Sequence, residues 1–416
     1  MIDTQKPWKG FLAVDADGRL EAPPEVRRRY GLTPGARLYA ETRENGFYLR
    51  RPVTTLARVY VEPTNTCNLG CRTCIRQVWD EPLGTMSGAT YDWILRGIRG
   101  CEPLPEVFFG GFGEPLGHPD ILHMIRSAHE AGARTELITN GVLLSEPTAR
   151  GLIEAGLDLL WVSIDGATPA SYLDVRLGDE LPRIIENLQT LRRLRYLSGA
   201  RSPQLGIAFV AMERNLKDLP EVVSLGRRLG ARRFHVSNVL PHTPEMRQEM
   251  AYGRSLWQIG WGSERIFFPR MDASEQLLAV WADLLHRSDW SALLETPPEG
   301  WIDACPFVER GSLSVRWDGK ASPCLPLLHS HESYLGETRR KSQAYFVGAA
   351  EEGPLLSIWR KPEYIRLRER LQEFDFSPCT ICNSCEMAEA NVEDCFGSPT
   401  PACGGCLWAQ GFIRCP

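Results

Sequence analysis

The stretch VEPTNTCNLGCRTC, residues 61–74, closes an apolar run that begins at Ala57 and places Cys67, Cys71 and Cys74 within eight residues. The run ARVYVE reads as a buried strand. The spacing Cys-x3-Cys-x2-Cys follows it directly, so three thiolates sit on one loop at the carboxyl end of that strand. Closed electron-transfer clusters use four cysteines, and three leave one iron with a free position that can chelate a small molecule. A zinc knuckle, or three unrelated thiols, is the competing reading.

Outward from this loop, strands and helices alternate from Leu56 to about Pro241. Apolar strand candidates are 57–62, 105–109, 134–139, 158–164, 205–211 and 233–239, and helical segments include 119–132, 147–155, 181–197 and 217–229. Alternation of this kind predicts parallel β/α construction. Six units are too few for a complete eight-stranded barrel, so the expected fold class is α/β: a partial (β/α)6 TIM-type barrel with its site at the carboxyl ends of the strands.

The chain has 416 residues, 43% of them hydrophobic and 24% charged, with a formal net charge of -5. That composition fits a globular protein of several domains and argues against a dominant nucleic-acid surface. The start, MIDTQKPWKG, shows no export signal, and no apolar run is long enough to span a bilayer. The expectation is a cytoplasmic protein without a membrane partner. In that compartment thirteen cysteines point to metal ligation more than to disulfides.

Four segments are expected: a β-rich module at 1–54, the barrel at 55–241, an aromatic-rich linker at 242–304 and a cysteine-rich domain at 305–416. The first reads as FLAV, a turn at Asp17-Gly18, the helix PPEVRRRYG, the strand ARLYAE, a turn at Glu44-Asn45-Gly46 and the strand FYLRR; Asn-Gly between strands is a hairpin signal. The linker holds Trp257, Trp261, Trp281, Trp290 and Trp301 and a helix at about 273–287, whose aromatics suit an interdomain core.

Later strand ends are polar. VFFGGFGEPLGHPD (107–120) offers glycines for close backbone approach and a carboxylate at Glu114. ELITNGVLL (136–144), LLWVSIDGA (159–167) and FHVSNVLPH (234–242) continue the pattern. With the triad, the series resembles the radical S-adenosylmethionine enzymes. The resemblance implies a [4Fe-4S] cluster held by Cys67, Cys71 and Cys74, with S-adenosylmethionine bound to its open iron. It further implies cofactor contacts from Gly111, Gly113 and Glu114 of a GGEP-like motif, and from Thr139, Asn140, Ser163, Asp165, Arg176 and Asn238. Thr73 departs from the family, which usually has an aromatic residue before the third cysteine.

The tail ACPFVERGSLSVRWDGKASPC (304–324) has Cys305, thirteen residues to Gly319, then four to Cys324. It resembles the opening of a SPASM domain, and SLSVRWDGK reads as a hairpin turning at Asp318-Gly319. CTICNSC supplies Cys379, Cys382 and Cys385; Cys395 follows, then Cys403 and Cys406 in CGGC, and Cys415. Membership would imply two auxiliary [4Fe-4S] clusters. Nine thiolates exceed by one what two closed clusters need, and the two Cys-x2-Cys pairs that contain Cys382 and Cys403 also fit a zinc ribbon. Cys101 reads as a plain buried thiol, and no role is assigned to His235, His242, His329 or His331.

APPEVRRRYGLTPGARLYA (22–40) resembles an AbrB-like module. Together with EPTNTCNLGCRTC, GFGEP, NVEDCFG and CGGCLWAQGFIRCP, it gives a closer likeness to the tungsten-containing aldehyde ferredoxin oxidoreductase cofactor-modifying proteins. That likeness implies a radical maturase acting on a tungsten oxidoreductase or its tungstopterin cofactor, with a reductant such as ferredoxin or flavodoxin. Two other readings compete: a maturase of a ribosomally made peptide, and an Fe-S electron-transfer or DNA-binding protein with a degenerate radical core.

Overall fold

A computed structural model describes residues 12–43, 46–252, 266–267, 270–272, 274–286, 303–335, 338–380 and 385–416. The expected turn residues Glu44 and Asn45, the tryptophans at 257, 261, 290 and 301, and Cys382 lie outside them.

The six predicted strands form in sequence order: β1 (Arg58–Val61), β2 (Glu106–Phe109), β3 (Thr135–Thr139), β4 (Leu159–Ser163), β5 (Gln204–Ala211) and β6 (Ala231–Asn238), all parallel. Side chains alternate between the two faces of each strand. Val59, Val61, Val107 and Phe109 therefore join the layer beneath the helices, while Tyr60 and Phe108 meet inside the sheet with ring centroids 5.2 Å apart.

Helices cover the outer face: α1 (Gly88–Arg99), α2 (Ile121–Glu130), α3 (Glu146–Glu154), α4 (Pro169–Arg176), α5 (Leu181–Ser198) and α6 (Leu219–Leu229). Their starts follow local chemistry. Ser87, Ser145 and Thr168 accept hydrogen bonds from the backbone N–H three residues on, in the manner of N-caps. The linker helix, α7, runs Glu275–His286 within its predicted range.

Both edges of the six-stranded sheet are extended. β7 (Ile266–Phe267) pairs parallel with β6, and β8 (Ser312–Val315) pairs parallel with β1. β8 is the first strand of the predicted tail hairpin, and it turns back antiparallel into β9 (Lys320–Ser322). A hairpin, β10 (His331–Leu335) and β11 (Thr338–Ser342), follows, and β12 (Gly348–Ala349) then closes the sheet on β9. The cysteine-rich tail is thus continuous with the barrel sheet, and the edge beside β1 is paired.

At the amino end a short ladder joins Ala13–Val14 to Leu20–Glu21, the helix Pro24–Tyr30 follows, and Ala40–Arg43 pairs with Gly46–Leu49. The second ladder begins at Ala40, later than the expected ARLYAE strand. This module docks on the tail side: Arg50 bonds Glu309 at 2.8 Å and Arg37 bonds Glu369 at 3.1 Å. No helix among the described residues is long and apolar enough to cross a membrane.

Candidate functional site

The carboxyl ends of the strands surround an open cavity of about 300 Å³. Cys67, Cys71 and Cys74 line it, and Gly111, Gly113, Glu114, Thr139, Asn140, Ser163, Arg176 and Asn238 contribute to its wall. Every residue expected to meet the cluster or S-adenosylmethionine is therefore at one place except Asp165, which is fully buried behind the wall.

The triad loop is held by what surrounds it. A Cβ on Gly113 would lie 2.1 Å from the Thr64 carbonyl oxygen and 2.7 Å from that of Thr66, and one on Gly111 would strike Glu62. These glycines make room for the cysteine loop itself, whereas the sequence pattern suggested room for a ligand. The Glu114 N–H donates to the Thr66 carbonyl at 2.8 Å and ties the two loops together. We expect Gly113→Ala to force these backbones apart, and anaerobic purification should then yield protein depleted of the core cluster's iron. Full iron content in that variant would show that the loop tolerates the displacement.

Glu114 is buried and accepts from Thr139 Oγ1 and the Asn140 N–H at 2.7 Å each, and from the Leu116 N–H at 3.0 Å. Burial raises its pKa, against those hydrogen bonds. It fixes the end of β3, and Oε2, which accepts only the Asn140 N–H, keeps acceptor capacity for a ligand. Asn140 Nδ2 reaches Asn68 Oδ1 at 2.8 Å and Cys67 Sγ at 3.7 Å. Asn238 Nδ2 donates to the Arg270 and Phe412 carbonyls and so pins the tail across β6.

Arg176 ends α4, where Leu177 takes a left-handed conformation with φ 57° and stops the helix. Its Nη2 lies 2.6 Å from Asp165 Oδ2, and its Nη1 donates to Cys71 Sγ at 3.5 Å. Burial pulls Arg176 down, but Asp165 and the Cys71 sulfur outweigh it and hold the guanidinium firmly charged. Arg176 therefore ties the triad to the carboxylate of Asp165 behind it.

A second, enclosed cavity lies in the tail and is lined by Cys305, Cys324, Cys403 and Cys406. Burial pushes all four thiols up, Cys305 to about 12. Arg340 is buried against them, donating to the Ala388 and Ala402 carbonyls at 2.6 and 2.8 Å, and among the described residues the groups that act on its charge are the thiols of Cys379, Cys403 and Cys406. A buried guanidinium requires an anionic neighbour. Thiolates ligating a metal cluster meet that requirement, whereas neutral thiols do not. Cys379 lies near the same guanidinium, Cys385 and Cys395 are exposed, and no group of three ligating side chains among the described residues is spaced for a single metal ion.

Sequence reading assigned no role to the contacts that join barrel and tail. His329, fully buried, places Nε2 2.9 Å from Glu62 Oε2, and its ring lies between Trp79 and Phe112 at 4.4 and 5.5 Å. Glu62 also accepts from the Phe112 N–H at 3.2 Å. Its place in VEPTNTC, beside the triad, was the available signal. Cys101, expected to be a plain buried thiol, is only partly buried and donates to the Gly97 carbonyl at 3.4 Å.

Three thiols on a loop after β1, a glycine loop locked under it and a thiol-lined tail define a radical S-adenosylmethionine enzyme with a SPASM domain. Residues 61–200 match the radical SAM superfamily, and residues 305–386 match SPASM, an iron-sulfur cluster-binding domain. Its cofactors are accordingly a [4Fe-4S] cluster with S-adenosylmethionine and auxiliary iron-sulfur clusters.

Among curated relatives, the tungsten-containing aldehyde ferredoxin oxidoreductase cofactor-modifying protein of Pyrococcus furiosus is 29% identical over 374 residues, covering 86% of this chain and 96% of the relative. The PqqA peptide cyclase of Ruegeria pomeroyi is 35% identical over 197 residues, covering 46% and 48%. Among solved structures, Streptococcus suis SuiB bound to precursor peptide SuiA aligns with a TM-score of 0.53 at 16% identity over 78% of this chain and 69% of that one. The structure of anSMEcpe with bound AdoMet aligns at 0.51 and 14% identity over 86% and 92%. At these identities the two structures establish the fold alone.

Proposed function

We propose that this chain is a maturase that modifies a tungsten-containing aldehyde ferredoxin oxidoreductase or its tungstopterin cofactor by radical chemistry. The observation that carries the chemistry is the convergence of Cys67, Cys71 and Cys74 with the polar ends of the strands on one cavity. The observation that favours this target is likeness to the Pyrococcus furiosus protein along almost its whole length.

In this reading Cys67, Cys71 and Cys74 hold the core cluster. A [4Fe-4S] cluster with S-adenosylmethionine held there would supply a 5'-deoxyadenosyl radical. Glu114, Thr139, Ser163 and Asn238 bind and orient the cofactor, while Gly111 and Gly113 let the cysteine loop pack close. Asn140 positions Cys67, and the Asp165–Arg176 pair positions Cys71. Cys305, Cys324, Cys403 and Cys406 hold one auxiliary cluster. Cys379, Cys382, Cys385 and Cys395 are left for a second, with ferredoxin or flavodoxin as the class of reductant.

A tungsten oxidoreductase purified from cells lacking this protein should lose activity, or a mass increment that the normal enzyme bears. An identical enzyme from both sources would reject the target. The likeness to peptide cyclases makes a ribosomal peptide the second reading, and in that case the mass increment would appear on a short peptide instead. If no 5'-deoxyadenosine forms with S-adenosylmethionine and dithionite, the core is degenerate and both readings fail.

A further inference from the structure

A further cavity, of about 620 Å³, lies at the amino ends of the strands, the opposite end of the barrel from the cysteine loop. Residues at the strand starts line it: Arg58 on β1, Glu106 on β2, Glu136 on β3 and Arg233 on β6. Arg29, Tyr30 and Arg51 of the amino-terminal module contribute to its wall, as do Glu309 and Arg310 of the tail. Its lining contains none of the triad cysteines and none of the residues expected to meet S-adenosylmethionine.

The charge on this wall is unbalanced. Six guanidinium groups, those of Arg29, Arg51, Arg58, Arg134, Arg233 and Arg310, line the cavity against three carboxylates. All three carboxylates are already engaged. Glu106 and Glu136 each meet both Arg58 and Arg134 at 2.9–3.3 Å, and Glu309 bonds Arg50 at 2.8 Å. Arg310 directs Nη1 to the Tyr60 hydroxyl and to the Cys415 and Pro416 carbonyls, in the tail segment that returns into the barrel. Those acceptors are neutral.

Two of the cations share one ring. Arg29 and Arg51 sit over Tyr30, each with its guanidinium carbon 5.7 Å from the ring centroid. Burial pulls Arg51 down and Arg29 adds to that, against Tyr30 and Glu106. Like charges held together repel, and an anion among them removes the repulsion. Unmet hydrogen-bonding capacity adds to this. The Nε atoms of Arg58 and Arg134 are buried without a partner, and Arg58 is only 7% exposed. Buried polar atoms are normally paired. Arginines that served only to fasten the module would be matched by carboxylates, whereas here they outnumber them two to one.

We propose that this cavity binds a small, multiply charged anion, a phosphate ester or a polycarboxylate, separately from the cysteine cavity. Guanidinium forks match both groups bidentately. The volume lies within the range of small-molecule clefts, roughly 300–1,000 Å³. Tyr30, Leu104, Trp161 and Phe234 supply apolar surface for the body of such a molecule.

The test is anaerobic titration calorimetry of the reconstituted full chain with fructose 1,6-bisphosphate and, separately, with tricarballylate. At least one probe should bind with one molecule per chain, and the tighter of the two tells phosphate ester from polycarboxylate. Added salt should weaken the binding. Affinity should fall about tenfold in Arg51→Gln, which removes a charged donor. Arg51→Lys, which keeps the charge but not the fork, should fall between the two and replaces Arg51→Gln if that variant does not fold. Arg96→Gln, exposed on α1 and outside the cavity, should bind like wild type. Binding of neither probe by wild type would overturn the proposal. Equal affinity in wild type and the Arg51 variants would do so too, as would an equal loss in Arg96→Gln, which would reduce the effect to overall charge. None of these results touches the formation of 5'-deoxyadenosine, so the radical reading stands or falls on its own test.

Discussion

Replacing Cys67, Cys71 and Cys74 together with alanine is expected to lower the anaerobic iron count from about twelve to about eight, with a matching loss of sulfide, because each four-iron cluster is a separate unit. Formation of 5'-deoxyadenosine should disappear with it. The tail should keep its iron in this variant, since its thiols line a different cavity and gather around Arg340. A triple variant with undiminished iron would remove the triad from its role. A wild type with about four irons and bound zinc would instead overturn the auxiliary-cluster assignment.

Arg176→Met should be the most damaging single change away from the cysteines. It would leave Asp165 fully buried and without its cation, with only the Val210 N–H donating to Oδ1 at 2.7 Å. Removing one partner of a buried ion pair costs about 3–5 kcal/mol, because the remaining charge is uncompensated. The effect should appear as an earlier guanidinium midpoint of the reconstituted protein. The double variant Asp165→Asn/Arg176→Met should recover much of the loss, since no isolated charge remains. A positioning role makes a separate demand: the spectrum of the reduced core cluster should change in Arg176→Met, since Arg176 Nη1 contacts Cys71 Sγ. A midpoint within about 1 kcal/mol of wild type, the range of a surface pair, would show that the pair is not what holds this wall.

The barrel was legible because each strand carries a short apolar stretch bounded by polar turns, a signal contained in each segment by itself. Ser312–Val315 was legible only as half of a hairpin. Its parallel pairing with Arg58–Val61 joins segments far apart in the chain, and no local pattern encodes a partner at that distance. The triad was readable from spacing alone, since all three cysteines share one loop. The tail cysteines were not, because Cys305 and Cys324 meet Cys403 and Cys406 only after the intervening strands and helices have folded. Glu114 and Arg176 were found as residues, but the hydrogen bond Glu114 accepts from the Asn140 N–H and the ion pair of Arg176 with Asp165 depend on how neighbouring strand ends come together.

The returning segment has a consequence for biogenesis. The wall formed by Trp408, Ile413 and Cys415 is translated long after the strands it completes, so during synthesis the thiols of the first loop face an open basin. Iron-sulfur delivery machinery would then have unobstructed access to them until the last stretch emerges and docks against Asn238.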